Sequence, residues 1–536
     1  MELIPDSTHY STDQSVVIEL SAPAPSDSKI VVTKLAEIVR TVPVACKATM
    51  VDLGRFERGG YGVHFEGGRT AFDVLSSAFE RPRYGFVATM TPGVDIDAVT
   101  RNFRRMHLNL AQFYDWGYRH SQLLPPTRIY MDPLGLERDL DVVNELATAM
   151  SVQGTVPLGY SAVYAVGSDE RERWSDSVIY RTDGEPYRLG EEFLILVDPA
   201  EPEWLEHYLS QLEDALEGTD LRGFHLDQYG WPKFAERRDG SRVDLSKSFV
   251  TLLAAIRDRL PEAKFMFNNV NDFPTWATAT SPQDATYIEV WEPHGTLQDL
   301  GELATKALSY RPEHPPILSA YLSCYSEDET RANAAANLVM ATAWSHGASH
   351  LLLGESGNAL TDPYYPRNHV LAPESLTSFA RWYDFAVRYG DLLFDPQAQD
   401  VTESFTGGIN EDITFSGAEF STKAVAGTVW TRIVRTPLGL VVHLINLVGQ
   451  VETNWDNGKN PVTTVRNAQL SLALVKQGAA VYFFDVENPD MSLLASIGPG
   501  SAVQSNALSA GQTSAVFPLP PLGPWSVLFI PADTFS

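Results

Sequence analysis

From about residue 91 to 400 the sequence alternates short apolar runs with amphipathic stretches of helical period, and that alternation limits the fold more than any other feature. Apolar runs fall at 108–114, 156–166, 193–197, 223–226, 264–267, 286–290, 317–321 and 350–353. Helical periodicity covers 140–151, 203–216, 245–260, 297–309 and 329–345, with a closing stretch at 374–388. Strands joined through helices run parallel, because a parallel connection must travel the length of the sheet and return. Eight such strands over this length predict a (β/α)8 barrel. No glycine-rich phosphate loop follows the first run, which argues against a dinucleotide fold.

The flanks have a different pattern. Residues 15–20 and 29–33 are rich in Val and Ile, with Pro, Ser and Asp between them, and read as strands. Gly59 to Val63 and Glu66 to Arg69 read as hairpin turns, and 70–79 as one helix-like run. We expect residues 1–90 to form a small β-sandwich, followed by the barrel at 91–400. After Asp395-Pro396 the helical period ends, and 405–536 alternates apolar and polar positions around turns such as Asp456-Asn457-Gly458. Residues 401–536, ending in a strand at 525–530, are expected to be an antiparallel sandwich.

Charge narrows the partners. Acidic residues outnumber basic ones 68 to 40, a formal net charge of −28, and such a field repels phosphate backbones. A nucleic-acid partner is therefore not expected, and a neutral or cationic substrate is. Cys46 and Cys324 lie far apart, so neither a disulfide framework nor a thiolate zinc site is expected. No stretch reaches the ~20 apolar residues of a membrane span. No basic and apolar leader opens the sequence, so a cytoplasmic home is the expectation as it stands, and a secreted one if a leader was removed. A monomer or homodimer is expected.

The stretch 223–230, Gly-Phe-His-Leu-Asp-Gln-Tyr-Gly, reads as a buried strand ending in Asp227. Residues 285–292 repeat the design, with Glu289 inside another apolar strand. A single Asp at a strand end usually caps a helix. Two carboxylates on the fourth and sixth strands of one barrel instead suit acid-base or nucleophilic work at the C-terminal face, as glycosidic cleavage requires. Glu292 is a competing acid, but it lies past the strand end, where solvation keeps a carboxyl ordinary.

Other candidates line the same face. The segment 112–120 groups Tyr114, Asp115, Trp116 and His120 after the first strand, and a sugar cleft needs flat aromatic platforms beside fixed polar groups. Trp116 is expected to be such a platform. Asn268 and Asn271 follow the fifth strand, Glu355 and Tyr365 the eighth, and Tyr164 and Trp291 add aromatic surface. His225 shares its strand face with Asp227. No second ligand cluster accompanies this His-x-Asp pair, so no metal is expected. A Gly-x-Ser-x-Gly elbow is absent, so a serine triad is not supported.

Together, residues 112–116, 223–230, Asn268-Asn269-Val270-Asn271 and 287–291 make the chain resemble glycoside hydrolase family 66, the endo-dextranases and cycloisomaltooligosaccharide glucanotransferases. The resemblance extends to Arg81-Pro82-Arg83-Tyr84-Gly85 and to Trp455 with Pro461. It implies an immunoglobulin-like N-terminal domain, a (β/α)8 barrel and a C-terminal β-sandwich. It also implies a retaining mechanism on α-1,6-linked dextran or isomaltooligosaccharides without a cofactor, with Asp227 as nucleophile and Glu289 as acid/base. Gln228-Tyr229 and Asp272-Phe273-Pro274 depart from the family pattern, which has a small residue with Leu at the first and a glycine at the second. The family's transferases carry a binding module inserted in the barrel, and the longest non-helical insert here, 167–192, is too short for one. Hydrolysis is therefore expected; a glucanotransferase or a non-catalytic sugar-binding protein are the alternatives.

Overall fold

In the computed structural model, which describes residues 1–476, 479–497 and 512–534, eight parallel strands close on themselves. They are β1 (Tyr84–Val87), β2 (Leu110–Phe113), β3 (Val156–Ala162), β4 (Gly223–Asp227), β5 (Lys264–Asn268), β6 (Ala285–Glu289), β7 (Ile317–Ser319) and a broken β8. The two halves of β8 close the ring: Ser349–His350 pairs with β7, and Leu353–Gly354 pairs with β1. Helices α1 (Ile96–Arg105), α2 (Leu140–Val152), α3 (Pro202–Gly218), α4 (Leu245–Arg259), α5 (Thr275–Thr278), α6 (Leu297–Tyr310), α7 (Glu329–Ser345) and α8 (Pro373–Arg388) follow the strands in turn. The chain is thus a (β/α)8 barrel flanked by β domains on both sides.

Local chemistry explains where the helices start. Asp95, Asp139, Asp244 and Asp328 each accept a backbone N–H at a helix N-terminus, and Thr296 with Asp299 forms a capping box on α6. Gly223 opens β4 at φ +155°, and a Cβ there would lie 1.7 Å from the Lys264 carbonyl oxygen. Only glycine lets β4 and β5 approach at this point.

Strand alternation sorts the side chains. Phe224, Leu226, Phe265, Phe267, Ile288 and Val290 point outward into the core shared with the helices. Tyr84, Met266 and Tyr287 fill the barrel interior. His225, Asp227, Asn268 and Glu289 share that inward parity.

Two strand expectations need correcting. The run at 193–197 is not a barrel strand: Leu194–Leu196 pairs antiparallel with Ala165–Gly167 and Arg188–Leu189 in a small side sheet. Only a turn of 3-10 helix, Ser168–Glu170, precedes it, and without a crossover helix a parallel return is out of reach. The missing barrel strand is β1, inside the 1–90 stretch, so the barrel begins earlier than residue 91. Residues 70–77 are likewise not helical, and only the 3-10 turn Ala78–Glu80 follows them. Gly68–Val74 pairs with Gly59–Phe65 across a two-residue turn in which Glu66 and Gly67 both have positive φ. That strand is buried on both faces, so its sequence lacks the alternation that separates strand from helix.

The flanking domains are antiparallel. A sheet of three strands and one of four, between residues 3 and 74, enclose the N-terminal core of Val16, Ile18, Ile30, Val32 and Phe72. A seven-stranded and a three-stranded sheet form the C-terminal domain. Its long strands Val429–Thr436, Gly439–Asn446 and Trp525–Pro531 pack Val441 and Trp525 into the core shared with the barrel helices. On the N-terminal side, Arg83 forms a buried ion pair with Asp73, and Asp384 of α8 accepts hydrogen bonds from Thr70 and Ala71. Among the described residues no helix is long and apolar enough to cross a membrane.

Candidate active site

The C-terminal ends of β4, β5 and β6 bring Asp227, Asn268 and Glu289 together at a cavity of about 380 Å³. Asn268 joins the other two. Its Nδ2 donates to Asp227 Oδ1 and to Glu289 Oε2, both at 2.7 Å, while its Oδ1 accepts the Glu289 backbone N–H at 3.3 Å. One amide nitrogen bonding two carboxylates at those lengths holds the facing oxygens about 4.7 Å apart when its two N–H bonds open at the usual sp² angle.

Further donors reach each carboxyl, among them the Gln228 backbone at Asp227 and Tyr321 at Glu289. The Tyr160 hydroxyl donates to Asp227 Oδ2 at 2.7 Å, and the Trp291 indole N–H donates to Glu289 Oε1 at 3.1 Å. Burial pushes the Asp227 carboxyl up, against the pull of Asn268 and Tyr160. Burial, and then the charge of Asp227, push Glu289 up to about 7. With Asp227 ionised, its charge helps keep a proton on Glu289 near neutrality, which divides the pair into an anion and an acid. Among the described residues no group of three His, Cys, Asp or Glu side chains is placed to hold a metal.

Aromatic rings form the walls. Tyr114 stacks on Tyr365 at 4.3 Å between centroids, and the Tyr365 hydroxyl donates to Gln112 Oε1. His225 lies between Tyr84 and Tyr160 with its Nδ1 at 3.1 Å from the Tyr84 hydroxyl, and burial drives it down to about 3, so it stays neutral. Trp231 and Trp291 line the cavity from the β4 and β6 loops and remain 36% and 40% exposed, leaving ring face for a ligand.

The sequence candidates divide. Tyr114, His225, Asn268, Trp291 and Tyr365 line the cavity with the carboxyl pair. Trp116 does not. It is fully buried on the outer side of β3, so close that a Cβ on Gly159 would lie 2.4 Å from its Nε1. The strand ends at Phe113, and the positive φ of Asp115 breaks the alternation that would have placed Trp116 with Gln112 and Tyr114, so Trp116 joins Phe113 in the core beneath the helices. Trp116→Ala is accordingly expected to cost ~3–5 kcal/mol of stability. It should lower the melting temperature and leave ligand affinity of the folded protein nearly unchanged; weaker binding at an unchanged melting temperature would restore the platform role.

Five other candidates also lie outside the cavity. Tyr164 is fully buried, and its hydroxyl donates to the Trp231 carbonyl and accepts the Tyr229 N–H, which shapes the turn after β4. Asn271 holds the Glu292 carbonyl and the Trp291 N–H. Glu355 accepts the Ala88 N–H beyond β1. His120 packs edge-on against Phe193. Asp115 sits buried beside the cavity, where burial and the charge of Asp132 push its carboxyl up to about 7. In each case loop geometry turned the side chain away from the cleft.

Sequence reading missed Tyr160, Trp231, Tyr287 and Tyr321, all of which line the cavity. Tyr287 could have been found, since it lies two residues before Glu289 on the same strand face. Tyr160 could be found only through register, as it pairs with His225.

The sequence profile of glycosyl hydrolase family 66 matches residues 60–529. The chain belongs to glycosyl hydrolase family 66. Two curated relatives, both cycloisomaltooligosaccharide glucanotransferases of Niallia circulans, are 21% identical to it, over 87% and 88% of its length. The chain spans 63% of the length of each. In fold it is similar to a Paenibacillus sp. cycloisomaltooligosaccharide glucanotransferase solved with cycloisomaltoheptaose, at a TM-score of 0.86 and 18% identity over 99% of both chains. For this family-66 chain that likeness establishes the architecture, and its own residues carry the chemistry.

Proposed function

We propose that this chain is a retaining α-glucan hydrolase that cleaves α-1,6 linkages in dextran or isomaltooligosaccharides. The observation carrying the proposal is the bridge from one Asn268 nitrogen to both Asp227 and Glu289. Retaining enzymes keep their carboxyl groups ~5–5.5 Å apart, whereas an inverting pair needs ~6.5–9.5 Å to admit a water between acid and base. A shared 2.7 Å donor belongs with the shorter distance.

In this reading Asp227, ionised and aligned by Tyr160 and Asn268, attacks the anomeric carbon. Glu289 donates its proton to the departing glycosidic oxygen, leaving a β-linked glycosyl-enzyme. Glu289, now a carboxylate, takes a proton from the incoming water, which attacks the same carbon and releases Asp227. Trp231 and Trp291 offer apolar faces to sugar rings on either flank of the pair. No step calls for a cofactor.

A second reading, transfer of the glycosyl group to a sugar hydroxyl with ring closure, is favoured by the names of the relatives. What supports water as acceptor is the inserted sequence that the relatives carry inside the aligned region. The alignment to one Niallia circulans relative runs to 628 positions although it takes in 87% of these 536 residues, so that relative carries well over a hundred residues without counterpart here. The segment after β3 contains only a 3-10 turn and the small side sheet, with no room to hold the far end of a chain near the cleft. Dextran digestion is expected to give linear reducing oligosaccharides, read by chromatography and a reducing-end assay. Cyclic isomaltooligosaccharides as the main product would decide for transfer.

A further inference from the structure

The C-terminal sandwich sends one loop, residues 452–460, onto the rim of the barrel, and its contacts converge on the segment that follows Glu289. The Trp455 indole N–H donates to the His294 carbonyl at 2.7 Å, and the Trp455 backbone N–H donates to the Gly295 carbonyl at 3.0 Å. The Leu297 N–H donates back to the Thr453 carbonyl at 2.9 Å. Asp456 accepts both the N–H and the hydroxyl of Ser323 after β7, and Arg331 of α7 donates to the Gly458 carbonyl. The loop is held from within by Lys459, 2% exposed, whose ammonium donates to Glu452 and to the carbonyls of Asn454 and Asn457. Lys459 thereby ties three acceptors of the loop to one point, which fixes the loop's shape.

The segment it grips carries Trp291, whose indole N–H is bonded to Glu289. Asn271 grips the same segment from the other side, at Trp291 and Glu292. We propose that Trp455 is a positioning residue: by fixing His294 and Gly295 it holds the Trp291 indole against Glu289, so the C-terminal domain takes part in setting the acid/base. The catalytic role of Glu289 in this inference rests on the function proposed above; the geometric claim does not. Glu289 also faces Asp227 from β4, Asn268 from β5 and Tyr321 from the end of β7. Trp291 donation favours the ionised form of Glu289, so losing it raises the pH at which that carboxyl gives up its proton.

The test follows the Glu289 carboxyl directly, by NMR of the full chain carrying carboxyl-labelled glutamate, with the signal assigned by its loss in Glu289→Gln. Trp291→Phe and Trp455→Phe are each expected to move the titration midpoint up by about one pH unit. The double variant should move it no further than Trp291→Phe does. Lys459→Met, whose ammonium contacts lie within the loop itself, should move it the same way even if Trp455→Phe fails to fold. An unchanged midpoint in the Trp455 or Lys459 variant, with only a lower melting temperature, would reduce the loop to a brace and overturn the proposal. Additive shifts in the double variant would overturn it as well. The pH profile of kcat/KM on dextran, run beside the titration, judges the other reading. If the midpoint moves but the basic limb does not, the positioning stands and Glu289 is not the acid.

Discussion

Asp227→Ala is expected to lower dextran hydrolysis by at least about three orders of magnitude, and Glu289→Gln by roughly two to four, with the fold intact in both. The two differ in what rescues them. An activated glycosyl fluoride needs little acid assistance, so bond cleavage should partly recover in Glu289→Gln and stay lost in Asp227→Ala. Equal loss of both with the fluoride would reject the assigned roles. Glu289→Gln carries a second signature, in stability. The folded-state carboxyl, held up to about 7 by burial and by Asp227, keeps a proton that the unfolded chain has lost from about pH 4.5 upward. Stability therefore falls as pH rises between those values and the cost is full above 7, on the order of 3 kcal/mol at most. Glutamine removes that cost, so Glu289→Gln should melt higher than the native protein at pH 8 and no higher at pH 4. A uniform change at both values would mean that Glu289 is not strained in the fold.

Asn268→Ala should rank next, with a loss of kcat/KM of roughly two to three orders of magnitude. It removes one donor that serves two carboxyls, and a buried acceptor deprived of its partner bears the full desolvation cost. Its effect on pH dependence has a definite sign. Donation from Asn268 favours the ionised form of both groups, so without it both give up protons at higher pH. The acidic limb, where Asp227 must ionise, and the basic limb, where Glu289 must stay protonated, should both move alkaline by about a unit. Were only the basic limb to move, Asn268 would be supporting Glu289 alone. An unchanged profile with lower affinity would make the amide a substrate contact and nothing more.

Much of this site is legible in the sequence, in one respect because two misassigned strands offset each other. Reading 193–197 as a barrel strand and overlooking β1 left the count of strands unchanged, so Asp227 and Glu289 still fell on the fourth and sixth. The strand ends themselves were sound, because Phe224, Leu226 and Ile288 make the outward faces of β4 and β6 mainly apolar, while the carboxyls stand where the strands meet the cleft. Loops were read less well. Trp116, Tyr164, Asn271 and Glu355 stand in the right segments, yet their side chains turn to the core or to neighbouring backbone. Residue type announces the aromatic or amide; the direction of its Cβ depends on φ and ψ, as with Asn271 and Glu355 at positive φ.

What the sequence by itself determined is what period and composition encode: the alternating barrel, the capped helices, the β flanks and the two carboxylates at strand ends. These depend on interactions within a few residues, so a local reading reaches them. Only the tertiary structure decided that one asparagine nitrogen holds both carboxyls, that Tyr160 and Trp291 supply further donors, and that a tryptophan 166 residues beyond Glu289 grips the intervening loop. Those contacts join strands and domains far apart in the chain, and their geometry is set by barrel closure and domain packing, which leave no periodic trace in the residues that meet.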